Sequence, residues 1–387
     1  MRIGVIGLGM AGLPLACIAA EKGFDVVGVD VDERRCREIN KGVNPIPEEP
    51  KLADLLVKHG GKNLLATSNY QDAKDCGFYS VIVPLFIDEK HNPDFTSLKN
   101  AFTNLGRILK KGDCVVLETT VPPGTTETKV LEWLEKASGL RLGEFYLAHS
   151  PERIMTGYSI SRLKEFPKVI GGVSTESGQK AYAVYQRFIG NLTLVSSARV
   201  AEFVKVIEGC YRNTNIALAN ELFKIADELH IDFYEARSAA HHRFCDIHLP
   251  STGVGGHCIP VYPWFLINEM EKRNKNKDSL LLKTSTVVND EMIQYWADKI
   301  IERCKSLDKP LDAVKICVKG ITFRTGVKSL YYSRNLALVK LLQDKGLDVY
   351  ASDPLLSQEE IEEMGLYFIH PSHADVVFDA FNVEVST

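Results

Sequence analysis

One cysteine lies in a loop of glycines, where its thiol could take part in covalent chemistry. The segment Gly253–Pro260 reads GVGGHCIP and carries Cys258. Glycines let the backbone and a small molecule come close to the sulfur, and a thiolate can attack a carbonyl carbon to form a covalent intermediate. A lone cysteine is more often structural than catalytic, and His257 beside it is also compatible with simple packing. The loop by itself therefore leaves both interpretations open.

The chain begins with a glycine pattern that is typical of dinucleotide binding. Gly7, Gly9 and Gly12 form a GxGxxG sequence between a predicted strand and a predicted helix. Such glycines allow a tight turn and a close approach to a pyrophosphate, which the helix N-terminus then faces. Asp30 ends the next predicted strand, where a carboxylate accepts hydrogen bonds from a ribose 2′-hydroxyl and repels a 2′-phosphate. The pattern predicts NAD rather than NADP; the alternative is a turn that merely packs beside a solvated acid.

Six segments of the chain occur together in a fixed order. They read GLGMAGLP near the start, ETTVPPGTT (Glu118–Thr126), HSPER (His149–Arg153), AEFVK (Ala201–Lys205), ANEL (Ala219–Leu222) and GVGGHCIP (Gly253–Pro260). With these segments the sequence resembles the UDP-glucose/GDP-mannose dehydrogenase family, the NAD-dependent nucleotide-sugar 6-dehydrogenases, from Met1 to about Pro354. The GHCIP form of the loop is similar to the branch that acts on UDP-N-acetylhexosamines.

The resemblance implies a catalytic group around Cys258. In the family a hydride leaves C6 of the sugar, the thiolate captures the resulting aldehyde, and a second oxidation gives a thioester that water hydrolyses. By the same likeness Lys205 stabilises the oxyanion, Glu152 acts as general base through a water, and Thr120 positions that water. From residue type alone, Lys205 could equally be a lysine on a helix surface and Glu152 an ion-pair partner of Arg153. Thr120 could be an ordinary hydroxyl at the end of a strand.

The resemblance also implies contacts to the two ligands. The predicted cofactor contacts are Gly7, Gly9, Met10, Ala11, Gly12, Asp30, Arg35, Pro84, Glu118 and Thr119. The predicted substrate contacts are Arg153, Lys205, Arg243, Gly255, Phe323 and Arg324. For Arg243, a solvated surface role is an equally good interpretation. Neither a metal site nor a disulfide framework is predicted, because the nine cysteines are scattered without a C-x-x-C pair.

Several positions depart from the family's pattern. Gly209 stands where the family often has Asn, four residues after the lysine, and Tyr262 stands where it often has Asp, four residues after the cysteine. The segment Val83–Phe86 reads VPLF instead of VPTP, and Tyr331 replaces an expected Arg. Losing both Asn and Asp predicts slower chemistry or a changed substrate preference, although Tyr262 keeps a hydroxyl.

The elements that must position these residues alternate between strands and helices in the first half of the chain. This alternation predicts a parallel sheet covered by helices on both faces. The predicted strands are Arg2–Ile6, Asp25–Asp30, Tyr79–Pro84, Cys114–Thr119 and Lys168–Gly172, and the predicted helices are Leu13–Lys22 and Asp32–Asn40.

The second half begins with one long helical pattern from Ala198 to His230 and the glycine-rich loop Ser251–Ile259. A further α/β pattern then follows, with strands at Ala313–Gly320 and Asp348–Ala351 around a helix at Asn335–Lys345. The expected fold class is α/β. A Rossmann-like NAD-binding domain spans 1–195, and a helical central and dimerisation domain with the cysteine loop spans 196–305. An apparently abbreviated UDP-sugar-binding α/β domain spans 306–387.

Composition excludes several classes of partner. The 387 residues are 45% hydrophobic and 25% charged, as in an ordinary soluble globular protein. A net charge of -4 gives no reason to expect nucleic acid or a membrane surface. The N-terminus does not read as a signal peptide, and unpaired cysteines favour the cytoplasm. The resemblance and the long helix predict a homodimer.

The leading hypothesis is an NAD-dependent, four-electron oxidation of the C6 alcohol of a UDP-N-acetylhexosamine to the uronic acid, with UDP-N-acetyl-D-mannosamine as the first expectation. Alternatives inside the family are UDP-N-acetylglucosamine and UDP-glucose. A two-electron dehydrogenase that stops early, and a weakened protein that binds nucleotide sugar without turnover, remain open. The sequence does not fix the sugar epimer.

Overall fold

The computed structural model describes residues 1–49, 51–154 and 157–387. Within them the chain forms two compact units, Met1–Val206 and Ile207–Thr387. The division falls inside one long helix, Ala198–Glu228. The three-domain boundaries expected from the sequence stay a prediction. None of the helices in the described part of the chain is long and apolar enough to cross a membrane.

The first unit is built around an eight-stranded sheet. Its strands are β1 (Arg2–Ile6), β2 (Asp25–Val29), β3 (Leu64–Thr67), β4 (Phe78–Val81), β7 (Cys114–Leu117), β8 (Tyr146–His149), β9 (Lys168–Gly172) and β10 (Leu192–Val195), with a small separate hairpin of β5 (Phe86–Ile87) and β6 (Pro93–Asp94). Its helices are α1 (Gly12–Glu21), α2 (Glu33–Asn40), α3 (Lys51–His59), α4 (Thr96–Gly106), α5 (Leu131–Ser138), α6 (Ser159–Glu165) and α7 (Thr175–Tyr185), followed by the start of α8 (Ala198–Glu228).

The strands of this sheet lie in the order β10-β9-β8-β7-β4-β1-β2-β3. In the described part of the chain every neighbouring pair is parallel except β8 and β9, where His149 lies opposite Gly171 in antiparallel register. The predicted α/β fold is therefore confirmed, and β1 and β9 have the predicted bounds. The predicted strand Tyr79–Pro84 is instead Phe78–Val81. A proline such as Pro84 has no N–H to donate to a strand partner.

Parallel order places the loops that follow β1, β4, β7 and β8 along one edge of the sheet. These four strands end with their carboxyl ends together, which is where open α/β sheets bind ligands. The strands themselves are almost wholly buried between helices, so their apolar side chains fix the sheet while the loops remain available for chemistry.

The second unit combines helices with a five-stranded sheet. The remaining helices are α9 (Phe233–Ala240), α10 (Tyr262–Lys272), α11 (Leu280–Lys305), α12 (Arg334–Asp344) and α13 (Gln358–Glu363). The strands β11 (Lys315–Lys319), β12 (Asp348–Ser352), β13 (Tyr367–Phe368), β14 (Val376–Asp379) and β15 (Glu384–Ser386) lie in the order β13-β12-β11-β14-β15. Three of these strands follow Pro354, in a stretch whose length is short for a complete doubly wound domain. Trp296 of α11 and Phe378 of β14 pack in the core of this second unit.

Candidate functional site

The turn between β1 and α1 has the shape of a phosphate cradle. Gly7 adopts a φ of +93°, and a Cβ on it would lie 2.2 Å from the carbonyl oxygen of Ile82. A Cβ on Gly12 would lie 1.8 Å from the carbonyl oxygen of Gly7. Among the described residues, nothing lies within 4 Å of the position that a Cβ on Gly9 would take. Two of the glycines are thus required for packing, whereas the third borders open space.

Asp30 is fixed directly beside this turn, just after β2. It is 8% exposed, and its Oδ2 accepts a hydrogen bond of 2.7 Å from the Leu8 N–H. Its Oδ1 accepts from the Asp32 N–H at 2.9 Å, and the Arg35 guanidinium lies 3.3 Å from Oδ2. The sequence-predicted carboxylate therefore lies next to the glycine turn with its orientation set by main-chain donors.

These residues fit a dinucleotide. The turn leaves open space at Gly9, and no described side chain caps the first N–H groups of α1, so those groups can face an anion. Met10, 37% exposed, and half-buried Ala11 form the outer part of the turn. The contacts predicted for Met10, Ala11 and Arg35 remain predictions.

The loops after β4 and β7 are tied to each other. The Thr119 hydroxyl donates to the Val83 carbonyl oxygen at 2.6 Å. Thr120 follows it as a half-buried residue, and Pro84 is exposed at the end of the neighbouring loop. Three residues that the sequence assigned to catalysis or cofactor binding thus lie in connected loops at the carboxyl edge of the sheet.

Glu118 differs from its neighbours because its side chain points into a buried polar cluster. It is 0% exposed, and its Oε2 lies 2.6 Å from the Lys168 ammonium. The hydroxyl groups of Ser80 and Tyr185 both donate to its Oε1. All its carboxylate oxygens have protein partners, so the structure gives the side chain a role in fixing its surroundings. A cofactor contact for Glu118 stays a prediction.

The HSPER segment contains the last residue of β8, His149, and continues into a loop that is bound to the beginning of β9. Ser150 donates through its hydroxyl to the Val169 carbonyl at 2.8 Å, and Arg153 donates through Nη1 to the Pro167 carbonyl at 2.8 Å. These bonds place Glu152 with its Oε2 3.6 Å from the Lys168 ammonium. Burial raises the pKa of Glu152 to about 7, against the opposing charge of Lys168. A carboxyl group with such a pKa can accept and release a proton near neutral pH.

The first turns of α8 secure the loop that contains the PPG sequence. Glu202 is fully buried and accepts hydrogen bonds from the N–H groups of Gly124 and Thr126 and from the Thr126 hydroxyl. Its burial raises its pKa to about 7. Lys205 lies one turn further along the same helix and is half-buried, and its catalytic role stays a prediction.

The cysteine loop of the second unit is held at its start by a network of buried amides. Asn289 of α11 donates to the Asn213 carbonyl at 3.0 Å and accepts from Asn220 at 3.0 Å. Asn220 in turn accepts from the Ser251 N–H at 2.8 Å, and the Trp296 indole donates to the Ser251 carbonyl at 3.2 Å. Two helices therefore fix the residue at which the loop begins.

Aromatic rings hold the rest of the loop. The His257 and Tyr331 rings stack with centroids 3.5 Å apart, and the Gly256 N–H donates to the Tyr331 carbonyl at 3.1 Å. A Cβ on Gly256 would lie 2.9 Å from the Phe323 ring. Cys258 itself is exposed, and its carbonyl accepts the Tyr262 N–H at 3.0 Å. The loop thus presents its thiol just before α10 begins.

Three more predicted substrate residues belong to this unit. Gly255 is packed so closely that a Cβ would lie 2.8 Å from the Tyr332 carbonyl oxygen. The Arg324 guanidinium lies 5.7 Å from the Phe323 ring, next to the loop. Arg243 is exposed with its guanidinium 4.3 Å from the Phe244 ring. Phe323 and Gly255 are therefore brought together at the loop, while roles in substrate binding remain predictions.

The two departures at positions 209 and 262 form one contact. A Cβ on Gly209 would lie 2.5 Å from Cδ2 and 2.9 Å from Cβ of Tyr262. The Tyr262 ring is 9% exposed and packs directly against the helix backbone at Gly209. The glycine is therefore required by the tyrosine, and the two replacements constitute a matched pair.

Sequence reasoning missed several residues that position the predicted ones. In the first unit these are Lys168, Ser80 and Tyr185, and in the second they are Asn213, Asn220 and Asn289. A lysine opening the otherwise apolar strand Lys168–Gly172 was the available signal in the first unit. In the second, the signal was the row of amide side chains along predicted buried helix faces.

The family model for the UDP-glucose/GDP-mannose dehydrogenase NAD binding domain matches residues 1–189, and the model for the central domain of the same family matches residues 199–291. The chain belongs to this family. The predicted family resemblance, the α/β fold class and the enzyme class of an NAD-dependent nucleotide-sugar dehydrogenase are thereby confirmed.

Individual relatives are similar to this chain over most of their length. UDP-N-acetyl-D-mannosamine dehydrogenase of Pyrococcus horikoshii is 35% identical over 92% of this chain and 84% of its own. UDP-N-acetyl-D-glucosamine 6-dehydrogenase of Pseudomonas aeruginosa is 33% identical over 96% of this chain and 88% of its own. The solved structure of the Pyrococcus horikoshii UDP-D-ManNAc dehydrogenase superimposes with a TM-score of 0.88, at 32% identity, over 98% of this chain and 89% of that one.

Proposed function

We propose that this protein oxidises the C6 alcohol of a UDP-N-acetylhexosamine, UDP-N-acetyl-D-mannosamine before others, to the uronic acid. The observation that carries the proposal is the exposed Cys258 thiol in a glycine loop held by Phe323 and Tyr331. It is supported by relatives that bear the names of UDP-N-acetyl-D-mannosamine dehydrogenases and by the raised pKa of Glu152.

NAD⁺, when bound, supplies the hydride acceptor for each of two oxidations. The residues that would hold it are the glycines of the first turn and Asp30, whose carboxylate would disfavour the 2′-phosphate of NADP. Arg324 and Phe323 are proposed for the nucleotide part of the sugar substrate.

The chain's own residues would carry the rest of the reaction. Glu152, through a water held by Thr120, receives the proton of the C6 hydroxyl. The Cys258 thiolate then adds to the aldehyde carbon, forming a C–S bond and an alkoxide that Lys205 stabilises. Glu152 then passes its proton to solvent. After the second oxidation, water adds to the thioester carbonyl, Glu152 takes the proton of that water, and the C–S bond breaks to return the thiolate. Each sugar consumes two NAD⁺ and one water.

The test is the number of NADH molecules formed per sugar, measured with UDP-N-acetyl-D-mannosamine, UDP-N-acetylglucosamine and UDP-glucose. The expected result is two NADH per sugar with the mannosamine compound as best substrate. In Cys258→Ser we expect uronate formation to fall by about a thousandfold or more, whereas the matched variant Cys245→Ser, at a half-buried thiol, should keep the wild-type rate.

Other outcomes would replace the proposal. One NADH per sugar would mean a two-electron enzyme in which the thiol is idle. Tight binding of UDP-sugars without NADH would mean a binding protein, in line with the Gly209 and Tyr262 replacements. Faster turnover of UDP-N-acetylglucosamine would move the assignment to the branch of the Pseudomonas aeruginosa relative.

We also propose a homodimer. Tyr211, Leu218 and Ile225 recur every seventh residue along α8 and are 68%, 49% and 47% exposed, which forms an apolar stripe on one helix face. Sedimentation of the wild type should give a dimer and Leu218→Glu a monomer. A monomeric wild type would refute the assembly.

A further inference from the structure

The reversed direction of β9 places a lysine at the edge of the sheet where the chemistry is proposed. β7 and β8 are parallel, and their carboxyl ends lead into the loops that contain Glu118 and Glu152. Because β9 runs antiparallel to β8, with His149 opposite Gly171, its first residue lies beyond the carboxyl end of β8. That residue is Lys168, which a parallel strand would have placed at the opposite edge.

Lys168 is buried together with both carboxylates. Its side chain is 4% exposed, and those of Glu118 and Glu152 are 0% and 12% exposed. The ammonium lies 2.6 Å from Glu118 and 3.6 Å from Glu152, and 5.0 Å from the Tyr185 ring centroid. Charges that are withdrawn from water must be paired, so the position of each group depends on the other two.

The three groups are not equivalent, since one ammonium faces two carboxylates. Glu118 has the short contact to Lys168 and also accepts from the hydroxyls of Ser80 and Tyr185. Among the described residues, Glu152 Oε2 has no hydrogen-bond partner, and its Oε1 accepts only from the Arg153 main chain, at 2.7 Å. Glu118 is therefore the carboxylate with the fuller set of partners, and Glu152 is the one with fewer.

Two further titratable groups near Lys168, His149 and Tyr185, add no charge. His149 at the end of β8 is 0% exposed, and burial, followed by the charge of Lys168, lowers its pKa to about 3. Tyr185 stays protonated because burial, together with the charge of Glu118, raises its pKa. Lys168 remains charged, since the two carboxylates outweigh burial and raise its pKa. Of these charged groups, Lys168 therefore lowers the pKa of the buried Glu152 and Glu118 raises it.

We propose that Lys168, anchored by Glu118, is a positioning residue that orients the Glu152 carboxylate and favours its charged form. Its catalytic meaning rests on the function proposed above, in which Glu152 is the general base. The arrangement predicts that the pH at which Glu152 loses its proton shifts in opposite directions when the charge of Lys168 or that of Glu118 is removed. Removing the Lys168 charge makes Glu152 hold its proton to higher pH, because two carboxylates then face each other. Removing the Glu118 charge makes Glu152 release its proton at lower pH, because Lys168 then has a single partner.

The experiment is a pH titration of Glu152 in the full chain without added ligand. Difference infrared spectroscopy follows the C=O stretch of the protonated carboxyl, and the band is assigned by its loss in Glu152→Gln. We expect Lys168→Met to move the midpoint up, and Glu118→Gln to move it down, each by about one pH unit or more. Lys168→Arg keeps the charge and should leave the midpoint near its wild-type value, which also covers the case that Lys168→Met does not fold.

The matched control is Ser177→Ala. The Ser177 hydroxyl accepts a hydrogen bond from the Leu147 N–H of β8, so its loss perturbs the same region without a change of charge, and the midpoint should stay in place. Equal midpoints in Glu118→Gln, Lys168→Arg and the wild type, or shifts of Lys168→Met and Glu118→Gln in the same direction, would overturn the proposal.

Activity gives a separate second readout. If the wild type oxidises UDP-N-acetyl-D-mannosamine, the acidic limb of its kcat/KM profile should shift in each variant as the infrared midpoint does. A limb that stays fixed while the midpoint moves would show that Glu152 is not the base. A wild type that oxidises no sugar would refute the proposed function and leave the titration to decide the role of Lys168 alone.

Discussion

The loops after β7 and β8 are held by buried carboxylates and their ion pairs, whereas the cysteine loop of the second unit is held by neutral amides and rings, with the Arg334 guanidinium donating to the Val254 carbonyl at 3.2 Å. In the first region Lys168 lies buried against two carboxylates, and a further buried carboxylate, Glu202, secures the loop that follows. In the second, neutral amides and stacked rings fix the loop from Ser251 to Cys258. A general base must change its protonation, so it needs neighbours that set its pKa. A nucleophile delivered by a loop needs above all a fixed place.

The largest expected difference is in the pH dependence of stability of the first region. Burial raises the pKa of Glu202 from 4.5 to about 7, so its folded form binds a proton more tightly than the unfolded chain does. Its contribution is full below pH 4.5 and is lost as pH rises to about 7, on the order of 3 kcal/mol. Glu202→Gln should flatten the dependence of the free energy of unfolding on pH. Part of this dependence persists, because the pKa of Glu152 is also raised in the folded chain.

The measurement is hydrogen exchange of peptides from 114–130 in a urea series at several pH values in that window. Glu221→Gln, an exposed carboxyl on the same helix, is the control and should keep the wild-type slope. If Glu202→Gln left this pH dependence unchanged, Glu202 would not be a source of it, and the proposed difference between the two regions would fail.

The next effect concerns the neutral network. Asn289→Ala leaves the buried amides of Asn213 and Asn220 without their partner, at a cost of about 2 kcal/mol that should be the same across the pH range. Because Asn220, which accepts the Ser251 N–H, then loses its bond to Asn289, the cysteine loop is held less firmly and the NADH yield per sugar should fall from two toward one. Asn215→Ala, whose amide bonds the exposed helix backbone at Tyr211, should leave both quantities unchanged. A pH-dependent loss in Asn289→Ala would show that the network carries charge after all.

The smallest effect should come from the contact between Gly209 and Tyr262. Gly209→Ala places a Cβ 2.5 Å from the ring, and such overpacking destabilises the fold by about 2 kcal/mol. The higher helix propensity of alanine offsets about 1 kcal/mol of this loss. The net loss is about 1 kcal/mol. In a Tyr262→Gly background neither the ring nor the Cβ of residue 262 is present, so the same change should instead stabilise by about 1 kcal/mol. Urea unfolding of the four variants checks this reversal, and equal signs in both backgrounds would show that the contact is not steric.

Much of the fold and part of the site could be predicted from sequence because the signals are local. Several elements depend on short segments whose residue types largely determine their conformation. They are the glycine turn with Asp30, the strands Arg2–Ile6 and Lys168–Gly172, and the cysteine loop. The order of such segments also identified the family.

What could not be predicted depends on contacts between distant segments. Nothing in Lys168–Gly172 reveals that this strand runs antiparallel to β8, and only that direction brings Lys168 to Glu118 and Glu152. Likewise, the sequence identified Gly209 and Tyr262 as two separate departures, whereas the structure shows a single contact. Amides such as Asn289 resemble ordinary helix residues until the facing helix is known.

The contact between Gly209 and Tyr262 also restricts the order in which these two positions can change. A lineage that carries Asn and Asp there and arrives at Gly and Tyr must lose the asparagine first, because the ring and a side chain at 209 cannot occupy the same space. In the reverse direction the tyrosine must go before the glycine is replaced. When this enzyme is engineered toward the common family residues, placing Asn at 209 while Tyr262 is still present is therefore the wrong first step.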